Sequence, residues 1–181
     1  MSRTTQKTVR AETENYVIET GRLTRKQAEV LLLLTEGLST PEIAAYFCRA
    51  QRTVMQHCGA LKEAMDASSL TGAIADAMTH GEITPKQKPE PIASDQPPVF
   101  VQSPRYVVVG RTFSPRQAST LAWLAEGKSY PAIATIFDVS PRTVHVFSKD
   151  IFKKLATNNS RTAVAKAMMS GLLLPKQVFM P

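Results

Sequence analysis

Few of the 181 residues have the types and spacing that site chemistry requires. Cys48, His57, Cys58 and His80 carry metal-ligating groups, but their spacing matches no common zinc pattern. Two cysteines cannot build a disulfide framework, and small buried thiols in a reducing compartment are the consistent expectation. No glycine-rich phosphate loop or clustered acid pair is present, so neither catalysis nor a metal or other cofactor is expected. One stretch does set out side chains in an order that suits a ligand. Val144, Ser148, Ile151 and Leu155 recur at helical spacing and should face a core. The opposite face then carries Arg142, His145, Val146, Lys149 and Lys153, which together offer cations for phosphates, hydrogen-bonding groups for base edges and an apolar surface for thymine methyls. The competing reading is a solvated basic helix face.

Composition agrees with a polyanionic partner. The chain holds 22 Lys and Arg against 15 Asp and Glu, a net charge of +7. No apolar run approaches the roughly 20 residues needed to span a bilayer, and the start lacks the apolar core of a signal peptide. A soluble, cytoplasmic, nucleoid-associated protein with no membrane partner is expected.

The elements that position the basic face occur twice. Leu23-Thr24-Arg25-Lys26-Gln27-Ala28 is answered 90 positions later by Phe113-Ser114-Pro115-Arg116-Gln117-Ala118, and the register then holds without a gap. Glu36-Gly37-Leu38-Ser39 matches Glu126-Gly127-Lys128-Ser129, and Arg52-Thr53-Val54 matches Arg142-Thr143-Val144. Tyr16-Val17-Ile18 is echoed by Tyr106-Val107-Val108, and Pro85-Lys86-Gln87 by Pro175-Lys176-Gln177. Residues 84–104 between the copies hold half of the prolines and read as a semi-extended linker.

Each copy predicts four helices. Thr24 with Gln27, and Ser114 with Gln117, have capping-box spacing for a first helix closed by Gly37 or Gly127. Ser39 and Ser129 can cap a short second helix, Ser140 and Pro141 start a third that reaches Leu155, and Ser69 and Ser160 precede Ala-rich fourth helices. Second and third helices joined by a tight turn form a helix-turn-helix. The run Thr/Ser-x-x-Gln, Glu-Gly-x-Ser-x-Pro-x-Ile-Ala and Arg-Thr-Val resembles the LuxR-type helix-turn-helix domain over residues 23–83 and 113–173. A similar helix arrangement occurs in the promoter-reading region of sigma factors. The expected fold is all-α, two four-helix modules joined by the Pro-rich linker, each preceded by a short strand. The boundaries are a disordered tail at 1–15, a first module at 16–83, the linker at 84–104 and a second module at 105–175. The strands Tyr16–Glu19 and Tyr106–Val109 are expected to pair with each other or with a second chain.

The resemblance implies a DNA-binding transcriptional regulator without catalytic activity. It places base contacts at His145, Val146 and Lys149, with Arg142 and Thr143 toward phosphate. The first copy offers Arg52, Thr53, Met55, Gln56 and Gly59 at those positions, a poorer set: Met55 and Gly59 lack hydrogen-bonding side chains, and Ala50 replaces the favoured N-cap serine. Residues 23–83 carry five bases against seven acids, a net −2, whereas residues 113–181 carry nine against three, a net +6. The second module should therefore dominate DNA affinity. The resemblance also implies pairing through the fourth helix, here as a pseudo-dimer within the chain or as a homodimer, although packing inside each module explains the same alanines. Double-stranded DNA is the expected partner, with RNA polymerase or a regulator protein beside it. The alternatives are an interaction protein using a degenerate first module and an architectural or excision factor of a mobile element.

Overall fold

The computed structural model describes residues 8–87, 98–99, 103–110 and 112–176. The first module runs β1 (Val9–Glu12), β2 (Tyr16–Thr20), α1 (Arg25–Glu36), α2 (Thr40–Tyr46), α3 (Gln51–Ala64), α4 (Leu70–Thr79) and β3 (Ile83–Pro85). The second repeats it as β4 (Pro98–Val99), β5 (Tyr106–Val109), α5 (Pro115–Ala125), α6 (Tyr130–Phe137), α7 (Pro141–Leu155), α8 (Ser160–Met169) and β6 (Leu173–Pro175).

The capping chemistry acts where its residue types require. Thr24 and Ser114 accept the amides of Gln27 and Gln117, whose side chains reach back to the cap amides. Ser140 accepts the Thr143 amide at 3.2 Å and starts α7, whereas α3 begins at Ala50 with no side-chain cap. The fourth helix of the second module is capped by Asn159 rather than Ser160, which is its first residue. The helix-turn-helix corners bend through left-handed Cys48 and Asp138, at φ 49° and 53°.

The all-α expectation needs correction. Each module closes with a three-stranded antiparallel sheet, ordered β1-β2-β3 and β4-β5-β6. β2 pairs not with β5 but with the strand that follows its own fourth helix: Tyr16 lies opposite Pro85 and Ile18 opposite Ile83, as Tyr106 lies opposite Pro175 and Val108 opposite Leu173. Strands of three to five residues are not stable alone, and here the helices between them bring their ends together. β1 likewise takes Val9–Glu12 out of the expected tail and pairs them with β2. Pro85 and Pro98, expected in the linker, end β3 and begin β4, while Pro89, Pro91 and Pro97 lie outside the described residues.

Each core is shared. Val30 through Leu34 are all buried, which makes α1 a helix covered on every side. Part of that cover is the other module, because α4 packs on α8 and each fourth helix also meets the first helix of the opposite module. Ala73 and Ala77 belong to the first core and Ala163 and Ala167 to the second, but Ala75 is buried in the second core and Ala165 in the first. Alanine is the side chain that lets two helix backbones come this close. Gly37 and Gly127, at φ 104° and 85°, end the first helices in the left-handed conformation and sit against the opposite fourth helix. A Cβ on Gly127 would lie 2.6 Å from Ser68 Oγ, and one on Gly37 2.7 Å from Thr162 Cγ2.

Candidate nucleic-acid interface

On α7 the two faces separate as the spacing requires. Val144, Ser148, Ile151 and Leu155 are buried, and the Ser148 hydroxyl is satisfied by donating to the Val144 carbonyl. Phe147 is half-buried beside them. Arg142, His145, Val146, Lys149 and Lys153 are all exposed on the other face. Val146 is 50% exposed, an apolar group held in water at the centre of a cationic helix surface. Neither Arg142, Lys149 nor Lys153 has an acidic partner among the described residues, so their charge is free for phosphate. Thr143 is half-buried and its hydroxyl lies 3.0 Å from that of Ser140, which occupies it with the helix cap.

Three residues join this face that spacing alone did not single out. Tyr130, the first residue of α6, sets its ring against that of His145, tilted by 60° with the centroids 5.7 Å apart. Arg116 of α5 lies over the Phe137 ring at 5.1 Å, beside the turn that leads into α7. Ile136 is exposed near the end of α6. The repeat carries the signal for Arg116, because Lys26 occupies the same position and lies over Phe47 at 3.9 Å.

The first module builds the same scaffold with other groups. Val54, Cys58 and Leu61 are buried, while Arg52, Met55 and Gln56 are exposed and Thr53 is half-buried. Met55 and Tyr46 stand 60% and 66% exposed at the positions of His145 and Ile136, and the cations are lost elsewhere, with Gly59 and Glu63 where the second module has Lys149 and Lys153. Gly59 does not interrupt α3. Glu29 binds Arg25 at 3.2 Å and Lys26 at 2.7 Å and so offsets one of their two charges, and the residue at that position of the repeat is Ser119. Glu42 accepts the Ser39 amide at 2.7 Å where the second module has Ala132. Cys58 is buried, and that burial pushes its thiol pKa up, against the nearby Arg161 and Lys62 charges; Cys48 is exposed. Among the described residues no three His, Cys, Asp or Glu side chains group as a metal site.

A family model described as bacterial regulatory proteins, luxR family, matches residues 21–77 and again 111–167, the two helix-turn-helix segments. The chain belongs to the luxR family. The transcriptional activator protein VanR of Vibrio anguillarum is 43% identical over 60 residues, 33% of this chain and 25% of the relative. AnoR of Acinetobacter nosocomialis is 41% identical over 58 residues, 32% and 24% of the two chains. The transcriptional regulatory protein FixJ of Bradyrhizobium diazoefficiens is 29% identical over 115 residues, 62% and 49%. This luxR-family chain thus spans about a quarter to a half of the length of these relatives. No solved structure matches it. The family and its relatives are DNA-binding transcriptional regulators, and no helix among the described residues is long and apolar enough to cross a membrane.

Proposed function

We propose that this luxR-family chain is a sequence-specific transcriptional regulator acting in the bacterial cytoplasm, and that α7 of the second module reads the major groove. The exposed, unpaired cationic face of α7 around Val146 carries this reading. His145, Val146 and Lys149 contact base edges, Arg142, Lys153 and Arg116 contact phosphate, and Thr143 supports the helix start. With α4 packed on α8, the two helix-turn-helix units of one chain act as an internal pseudo-dimer on two half-sites about one turn of DNA apart. The half-sites are unequal, because Arg52, Thr53, Met55 and Gln56 offer the first one little beyond a single cation and an amide.

The test is binding of the full chain to DNA selected from a random pool, measured across salt concentrations. Arg142→Ala with Lys149→Ala should weaken binding and reduce the log–log salt slope by about 1 for each phosphate that is no longer neutralised. Unchanged affinity and slope would place the DNA surface elsewhere. A second reading rests on Tyr46 and Met55: their exposed apolar surface suits RNA polymerase or a regulator protein rather than phosphate. Full DNA affinity but lost promoter response in a Tyr46→Ser, Met55→Ser variant would favour it.

A further inference from the structure

The pseudo-two-fold axis between the modules relates two clefts, and they differ. In the first, Arg105 of the second module bonds Glu126 at 2.8 Å and reaches to 3.8 Å from Asp76 on α4 of the first. That latch leaves about 140 Å³. In the second cleft the repeat places Asn15 where Arg105 stands and Lys166 where Asp76 stands. Asn15 turns to Glu36 at 2.7 Å, Lys166 has no acidic partner among the described residues, and the cleft opens to about 870 Å³.

Its lining is also chemically different. Thr35, Thr157 and Thr162 replace Ala125, Ala67 and Gly72 of the latched cleft and its surround. Tyr106 lies within reach of the Thr79 hydroxyl at 3.4 Å, but Met169 occupies the position equivalent to Thr79 beside Tyr16. Tyr16 is only 5% exposed, lines the cleft, and its hydroxyl has no hydrogen-bond partner among the described residues. The buried Thr157 hydroxyl is likewise unpartnered. Lys166, exposed, and Glu36 share the cleft and form no ion pair among the described residues; the Glu36 carboxylate accepts the Thr13 hydroxyl at 2.6 Å and the Asn15 backbone and side-chain amides at 3.0 and 2.7 Å, all neutral donors that leave its charge uncompensated.

We propose that this cleft binds a small zwitterion of the amino-acid class, its carboxylate on Lys166, its ammonium on Glu36 and its body against Tyr16, Pro85 and Met169. Opposite charges held apart beside unpaired hydroxyls are complementary to a molecule that carries both charges on adjacent carbons. Such a ligand bridges the modules, since Glu36 ends α1 and Lys166 belongs to α8. At the same seam Asn159 donates to the Gly37 carbonyl at 3.4 Å and Arg161 to that of Leu38 at 3.3 Å. Occupancy therefore biases the angle between the helix-turn-helix units, a regulatory consequence that rests on the DNA-binding reading; the binding itself does not.

The experiment is thermal-shift and calorimetric titration of the full chain with each common L-α-amino acid, followed by the amine and the carboxylic acid matching any that binds. At least one amino acid is expected to raise the Tm, while its singly charged analogues do not. Lys166→Gln should weaken that binding by at least about tenfold, the usual loss when a charged hydrogen-bond partner is removed. Asn15→Arg with Lys166→Asp copies the Arg105–Asp76 latch into the open cleft and should abolish the response. Absence of a shift with every amino acid, equal binding of the analogues, or an undiminished response in K166Q would overturn the proposal. DNA affinity of the unliganded chain, measured in parallel, reports on the DNA reading alone.

Discussion

Arg25 and Lys26 open α1 as a cationic pair, and Glu29, one turn on, closes on both. The second module keeps Arg116 over its aromatic ring with Ser119 in place of the acid, so one carboxylate lowers the charge at the start of the first module's first helix alone. These pairs are too exposed to matter much for stability. Their effect is on phosphate affinity: Glu29→Ser in the full chain should tighten DNA binding and steepen its salt dependence, by up to about 1 in log–log slope for each cation released. A salt titration beside the unaltered chain checks it. Tyr16 gives a second residue-scale outcome. Burial, with the Glu36 charge adding to it, pushes its pKa from the ordinary value of 10.0 to about 12. The folded state therefore keeps a proton that the unfolded chain releases, so this contribution is intact below pH 10 and is lost as pH rises toward 12. The loss reaches about 2–3 kcal/mol at the top of that window. Tyr16→Phe should flatten that part of the stability profile in chemical denaturation. Burial raises Tyr106 in the same direction, so a residual slope remains.

Helices were the legible elements because their signals are local. Thr24, Ser114 and Ser140 cap within three residues of themselves, and a serine followed by proline fixes a helix start without knowledge of anything distant. Strand pairing was not legible in that way. Tyr16-Val17-Ile18 and Pro85 both recur in the repeat, so the sequence marks each flank, but nothing local says that they pair across four intervening helices. The helix ends carry two strained positions as well, Cys48 after α2 and Ala156 after α7. Ala156 terminates α7 in the left-handed region at φ 50°, where a Cβ is disfavoured, while Asp138 at the corner of the same helix-turn-helix is a type that tolerates it. Ala156→Gly should stabilise the chain by about 0.5–1 kcal/mol after allowing for the extra freedom glycine gives the unfolded state. The measurement is a shift in the denaturant midpoint at constant slope.

For the molecule as a whole, the tie between modules is the exchange of Ala75 and Ala165, each buried in the other's core. Ala75→Glu would place an unpaired charge there, at about 3–5 kcal/mol, and should replace one cooperative thermal transition by two. Calorimetry distinguishes this from simple destabilisation, which keeps a single transition at lower temperature. The alternating use of these alanines was only half readable. Their small size signalled close packing, but which module each one faces depends on the docking of α4 on α8, and the two docking choices leave the same sequence pattern. The candidate reading face was readable to a greater depth, since Val144, Ser148, Ile151 and Leu155 fix the orientation of α7 by themselves. In an assembly of identical subunits every substitution arrives twice, and both half-sites must accept it. In this chain Glu29 arrives once, as do Arg105 and Lys166, because the pairing helices belong to one polypeptide. Joining the two halves frees each to change without the consent of its twin, so a single codon can remove charge from one helix-turn-helix unit or unlatch a cleft on one side of the axis alone.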